Sequence, residues 1–142
     1  MNIAPLTQNN FSAAIALLKK NNLPTQDISD VTKLFVLEDE QTIAGTIALE
    51  YSGTEGLLRS LSVDEKRRNS GYGKELVDFV ENYAKRLGVT DLYLLTTTAD
   101  RFFLKRGYEV VDRNNVPAYI KETSEFSSIC PSSAIVMKKQ LQ

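Results

Sequence analysis

Leu61-Ser62-Val63-Asp64-Glu65-Lys66-Arg67-Arg68-Asn69-Ser70-Gly71-Tyr72-Gly73-Lys74-Glu75-Leu76-Val77 is the stretch on which the reading of this chain turns. An apolar run ends at Val63, a polar turn follows, and a helical pattern starts beyond the paired glycines. The order is strand, exposed loop, helix N-terminus. The first amides of a helix have no partner inside it. They carry partial positive charge, and the macrodipole adds to it. Gly71 and Gly73 lack a Cβ, so an anion can approach the backbone closely. Arg67, Arg68 and Lys74 add full charges to the same spot. The stretch predicts a cradle for the pyrophosphate of a cofactor, built from Arg68, Asn69, Ser70, Gly71, Tyr72, Gly73 and Lys74.

Two familiar phosphate loops fail on spelling. The P-loop needs G-x-x-x-x-G-K-[ST]. Here Glu75 follows Gly73-Lys74, and Arg68 stands where the first glycine belongs. The dinucleotide fingerprint needs G-x-G-x-x-G, and Leu76 takes the place of its third glycine. What remains is Arg68-x-x-Gly71-x-Gly73.

Composition narrows the classes. The 142 residues suit a single domain over 1–142, with 42% hydrophobic and 25% charged residues. Seventeen basic residues against 18 acidic ones give a formal charge of −1, which argues against non-specific nucleic-acid binding. No apolar run approaches membrane-spanning length. Met1-Asn2-Ile3-Ala4-Pro5 shows no signal-peptide pattern. Cys130 is the single cysteine, so no internal disulfide forms, and a cytoplasmic setting is expected. There is no histidine. Ser-His and Cys-His nucleophile systems are therefore excluded within the chain, as are histidine-ligated zinc sites, and no metal is expected. A general base must be a carboxylate, a tyrosinate, a lysine or a relayed water.

Outward from the cradle, hydrophobic spacing predicts the other elements. A helix runs through Phe11, Ile15 and Leu18, capped by Asn9-Asn10 and ended by Asn21-Asn22 and Pro24. A short helix is expected over Thr25 to Val31. Leu34–Leu37, Thr42–Tyr51 and Leu57–Val63 read as strands joined by polar turns. The helix from Gly71 to Leu87 carries Leu76, Val80, Tyr83 and Leu87 on one face and is closed by Gly88. Leu92–Leu95 is the next strand, so strand, helix and strand form a parallel crossover. A short helix over Ala99–Arg106 and strands at Tyr108–Val111 and Ala134–Met137 complete the order. The fold class is α+β: a mixed sheet, mostly antiparallel, with one central parallel β-α-β crossover and helices on both faces.

With this order around it, Arg68-x-x-Gly71-x-Gly73 resembles motif A, [QR]-x-x-G-x-[GA], of the GNAT superfamily of N-acetyltransferases. Ala99-Asp100-Arg101-Phe102-Phe103-Leu104-Lys105-Arg106-Gly107-Tyr108 resembles its motif B. The likeness covers Leu34 to Met137 most firmly. Leu58-Arg59-Ser60-Leu61-Ser62-Val63 and Leu94-Leu95-Thr96-Thr97-Thr98-Ala99 are similar to the acetyltransferase domain of N-acetylglutamate synthases. The tail resembles small N-acetyltransferases of arsenic-resistance operons, on Arg113 through Pro117, Ile120, Thr123, Glu125-Phe126 and Cys130-Pro131-Ser132-Ser133-Ala134.

The resemblance implies acetyl-CoA as cosubstrate, with pantetheine pairing along the backbone of Leu61, Ser62 and Val63. It adds Thr96, Phe102 and Phe103 to the cofactor site. The acceptor it implies is a small amino-acid-like amine; neither nucleic acid nor membrane is expected as a partner, and a homodimer is allowed for. A protein or polyamine acceptor, and a regulatory domain that binds acyl-CoA without catalysis, stand as alternatives. Glu50, at a strand end, is the candidate base, acting directly or through water. Arg59 is the candidate anchor for an acceptor carboxylate, which a guanidinium can hold bidentately. The chain departs from the family in two places. Thr96 stands where relatives often carry Asn, and Phe103 replaces the Tyr that often protonates the leaving thiolate. A thiolate is a good leaving group, so it departs unprotonated or takes its proton from water. Thr97 and Thr98 face either the ligand or the core. Cys130 reads as a packed small hydrophobe.

Overall fold

Alternating and β-branched runs make the strands here, and the sheet they build is mixed. The computed structural model describes residues 2–23, 25, 33–123, 126 and 134–141. Its strands are β1 (Asn2–Pro5), β2 (Lys33–Asp39), β3 (Thr42–Ser52), β4 (Glu55–Val63), β5 (Asp91–Thr96), β6 (Glu109–Val110) and β7 (Ile135–Gln140). The helices are α1 (Phe11–Lys20), α2 (Tyr72–Arg86), α3 (Asp100–Leu104) and α4 (Ala118–Glu122). The sheet has seven strands in the order β1-β2-β3-β4-β5-β7-β6. β1–β2, β2–β3, β5–β7 and β6–β7 pair antiparallel. β4 and β5 pair parallel, with Glu55, Gly56 and Leu57 opposite Asp91, Leu92 and Tyr93. The α+β class and the crossover through α2 are as the sequence predicts.

The boundaries shift by a residue or two, and some details change. The β2–β3 turn is carried by Glu40 and Gln41, both at positive φ (52° and 66°). That is the turn that matches strand twist in two-residue hairpins. Asn10 occupies the N-cap of α1, but its side chain does not cap. Its Oδ1 instead accepts from the Thr7 amide at 2.7 Å. The third helix is shorter than expected, and the strand after it is two residues long. β1 and α4 carry no strong sequence pattern and were not anticipated. The expected Thr25–Val31 helix, Pro24, Glu125, Cys130, Pro131, Ser132 and Ser133 lie outside the described residues, Thr25 excepted.

Two compact units share the chain: Met1–Glu50 with Leu58–Tyr83, and Tyr51–Leu57 with Ala84–Gln142. In the first, Ala14 of α1 packs with Leu34, Val36 and Ala48. Phe35 points the other way, as alternation requires. It meets Phe79 and Tyr83 of α2 edge-on, at 4.9 and 5.0 Å between ring centroids. Helices thus cover both faces of β2 and β3. In the second unit Leu57, Tyr93, Val116, Ile120 and Val136 form the core, with Ile120 contributed by α4.

Candidate active site

The loop expected to hold phosphate runs from Asp64 to Gly71 in the first unit. A 3-10 turn over Glu65–Arg67 opens it. Asn69 (φ 71°) and Gly71 (φ 82°) then take left-handed backbone conformations. A Cβ on Gly71 would meet nothing within 4 Å, so that face of the loop is open. Glu75 donates its amide to the Gly71 carbonyl at 3.0 Å. The amides of Tyr72, Gly73 and Lys74 therefore precede the helical ladder, as the first amides of any helix do. Gly73 lies inside α2, so its value is a missing side chain rather than an unusual backbone angle. Arg67 is half-buried, and its Nη1 is buried with no hydrogen-bond partner among the described residues. Lys74 is exposed.

The end of β4 is built by close approach. Gly45 of β3 has no side chain, and a Cβ there would stand 2.8 Å from the Ser62 carbonyl oxygen and 2.9 Å from Leu76 Cδ1. The Asp64 amide donates to the Ala44 carbonyl of β3 at 2.7 Å. The peptide bonds are trans, so N–H and C=O of one peptide point in opposite directions. The Val63 carbonyl therefore points away from β3. By the same reasoning at the Ser62 carbonyl, so does the Val63 amide. Leu61 and Val63 keep partial exposure, whereas Ser62 is buried. Ser60, mid-strand, has φ 61°, a left-handed angle rare for a residue with a Cβ. Its carbonyl accepts from Thr46 Oγ1 at 2.7 Å.

Glu50 and Arg59 meet. Arg59 Nη1 donates to Glu50 Oε2 at 2.9 Å, with side-chain exposures of 12% for Glu50 and 0% for Arg59. Arg59 Nε also donates to Ser60 Oγ at 3.3 Å. The two expected site residues are therefore paired with each other. The Arg59 side chain is thus buried against Glu50, which retains some solvent contact.

Tyr72, the first residue of α2, donates its hydroxyl to Asp39 Oδ2 at 2.5 Å, tying the helix start to the end of β2. That hydrogen bond raises the phenol pKa above its ordinary value, with desolvation and the Asp39 charge adding to it. The tie is made by the protonated phenol. Its stabilising effect is full below the unfolded tyrosine value of about 10 and is lost as pH rises through the higher folded value. An ultraviolet titration of Asp39→Asn is expected to show one tyrosine ionising earlier than in the parent protein. Coincident curves would disprove the tie.

The remaining expected residues belong to the second unit. Thr96 Oγ1 accepts from the Ala99 amide at 2.9 Å and so shapes the turn into α3. Phe103 is buried, edge-on to Phe102 at 5.1 Å and to Tyr108 at 5.4 Å. Phe102 is half-buried under the Arg106 guanidinium, 4.4 Å from its ring centroid. The aromatic positions of motif B thus serve packing here, and Phe103 brings no acid.

Three further residues stand out beside these: Asn21 donates its Nδ2 to the Val63 carbonyl at 3.3 Å, Asp39 accepts from Tyr72, and Ser60 has a left-handed backbone. Asn21 looked like a helix terminator, Asp39 like a turn residue, and Ser60 like an ordinary strand position. Only Asn21 carried a signal, since an amide at the end of an amphipathic helix is placed to bond beyond it.

The family model for the acetyltransferase (GNAT) domain matches residues 30–110, more than half of the chain. The chain belongs to the GNAT acetyltransferases. The fold, acyltransferase chemistry and acetyl-CoA as cosubstrate follow at the level of the family. The amino-acid acetyltransferase of Pseudomonas syringae pv. syringae is 33% identical over 91 residues, covering 63% of this chain and 21% of that protein. This GNAT chain thus spans about a fifth of the length of the curated relatives it matches. Among solved structures, N-acetylglutamate synthase from Neisseria gonorrhoeae, complexed with coenzyme A and N-acetyl-glutamate, superposes with a TM-score of 0.83 at 18% identity, over 99% of this chain and 35% of that one. A GNAT-family acetyltransferase from Staphylococcus aureus gives 0.79 at 19% identity, over 99% of both chains. No helix among the described residues is long and apolar enough to cross a membrane.

Proposed function

We propose that this GNAT chain moves acetyl from acetyl-CoA to the primary amine of a small amino-acid-like acceptor, by direct attack and within a single catalytic domain. The observation that carries the cofactor site is the loop from Arg68 to Lys74. Its open Gly71 and the pre-helical amides of Tyr72, Gly73 and Lys74, with the neighbouring Arg67 Nη1 unpaired among the described residues, suit a pyrophosphate. Beside it, Leu61 to Val63 offer a strand end whose Val63 amide points away from β3, which suits a carbonyl of pantetheine. Amino-acid acetylation among the relatives supports the acceptor class.

The reaction needs a neutral amine beside the thioester carbonyl. The amine nitrogen forms the C–N bond, the C–S bond breaks, and the electron pair leaves on sulfur as thiolate. The attacking nitrogen loses its proton to Glu50, directly or through water. Arg59 fixes that carboxylate and so acts as a positioning residue. With Phe103 at the position of the usual acid, the thiolate takes its proton from water. No covalent acetyl-enzyme forms. In this reading the setting is cytoplasmic, as the lone cysteine suggests. The partners are the small amine and, at most, a second copy of the chain; nucleic acid and membrane have no place in it.

Thiol release tests the acceptor class. The rate with an amino acid is compared with the rate on its amide and its decarboxylated amine. Preference for the acid is expected. Equal rates on all three would redirect the reading to a polyamine or protein amine. Binding of acetyl-CoA with no amine-dependent thiol release would redirect it to a regulatory acyl-CoA-binding domain.

A further inference from the structure

Arg68 opens the R-x-x-G-x-G pattern, and its charge suggests a direct phosphate ligand. Its side chain does something else. The Nε donates to the Val63 carbonyl at 3.3 Å, and Nη2 donates to Asn21 Oδ1 at 2.9 Å. Asn21 is the C-cap residue of α1. Its own Nδ2 donates to the Val63 carbonyl at 3.3 Å and also reaches Ser62 Oγ. Arg68 and Asn21 thus grip the same carbonyl, and they grip each other. That carbonyl is the one pointing away from β3 at the end of the strand.

We propose that Arg68 is a positioning residue for acetyl-CoA, a clasp that shapes the phosphate loop with its side chain rather than pairing with phosphate through its charge. The guanidinium turns back onto β4 and α1, while the Arg68 backbone is extended (φ −65°, ψ 151°) and leads outward into left-handed Asn69 and Gly71. With the side chain anchored inward, the start of the loop is fixed. Arg67 and Lys74 remain to meet phosphate with full charge. Asn21 belongs to the same clasp and couples the end of α1 to the cofactor strand. The inference rests on the acetyl-CoA reading of the loop.

Geometry supplies a discriminating substitution. Gln Nε2 and Arg Nε lie the same number of bonds from Cα. Arg68→Gln therefore keeps a donor for the Val63 carbonyl and removes the charge. Arg68→Ala removes both. Calorimetry with acetyl-CoA over a salt series reads the difference, and thermal melting confirms that each variant is folded. A clasp predicts that Ala weakens binding by about tenfold, the scale of a lost hydrogen bond to a charged donor, and that Gln restores most of this. The salt dependence of binding stays that of the parent in both. If Gln binds as weakly as Ala and the salt dependence falls in both, Arg68 is a phosphate ligand and the clasp is overturned. Parental affinity in Arg68→Ala also overturns it. If the parent protein itself fails to bind acetyl-CoA, the functional reading falls instead, so the two failures are distinguishable.

Discussion

Glu50→Ala is expected to destabilise the fold by about 1–3 kcal/mol, the cost of removing one partner of a buried charge that keeps its other contacts. The Arg59 side chain is 0% exposed, and Glu50 Oε2 sits 2.9 Å from its Nη1. Truncation leaves that guanidinium with only its other contacts, including Ser60 Oγ at 3.3 Å. Glu50→Gln keeps an oxygen at the same place and should cost less. Denaturant unfolding of the three proteins measures this directly. A loss below about 1 kcal/mol in the Ala variant is the range of an exposed pair and would mean that water replaces the carboxylate. The comparison matters for mechanism, because an inactive Glu50→Ala protein reports folding and chemistry together. Gln keeps the shape and removes the proton acceptor. If Glu50 is the base, the Gln variant should lose about 100-fold to 10,000-fold in kcat while still binding acetyl-CoA. A Gln variant with full activity would leave the proton to water alone.

Gly71→Val should abolish most acetyl-CoA affinity, by about 100-fold. Two effects combine. Gly71 has φ 82°, which a β-branched residue tolerates poorly, at a cost of order 1–3 kcal/mol if the loop holds its shape. If the loop relaxes instead, its amides move. The new side chain also points into the open face where phosphate should approach. Among the described residues beyond its two chain neighbours, nothing lies within 4 Å of a Cβ there, so the fold should survive. Calorimetry on a folded Gly71→Val protein showing parental affinity would remove the loop from the cofactor site. The same change at Gly73 lacks the backbone term, since Gly73 is helical, and should cost less.

Much of the architecture was legible because local and tertiary signals agree. α2 repeats its apolar residues at helical spacing, and Leu76, Val77, Val80 and Ala84 are all buried. The crossover followed from a strand, that helix and another strand in succession. β1 was not legible: four residues containing a proline give no period, and pairing with β2 makes them a strand. α4 follows Pro117, and Ile120, with Tyr119 beside it, packs it into the second unit's core. The open, left-handed turn at Gly71 was readable from the paired glycines before the helix. The Glu50–Arg59 pair was not, because it depends on which residues of adjacent strands face one another. Ser60, next to Arg59, has a left-handed backbone angle that a plain strand pattern does not announce. The burial of Arg59 against Glu50 is what supports the proposal that it positions that carboxylate. The packing of Phe103 on Tyr108 is a tertiary fact that the sequence pattern does not carry.

The central claim is acetyl transfer from acetyl-CoA to an amino-acid-like amine, and product mass tests it most directly. The protein is incubated with acetyl-CoA and a mixture of amino acids and their phosphinic and arsinic analogues. The account predicts that at least one member gains the mass of a single acetyl group on its amine, with one free thiol released per product. No acetylated product from any member, in a protein shown to bind acetyl-CoA, would contradict it.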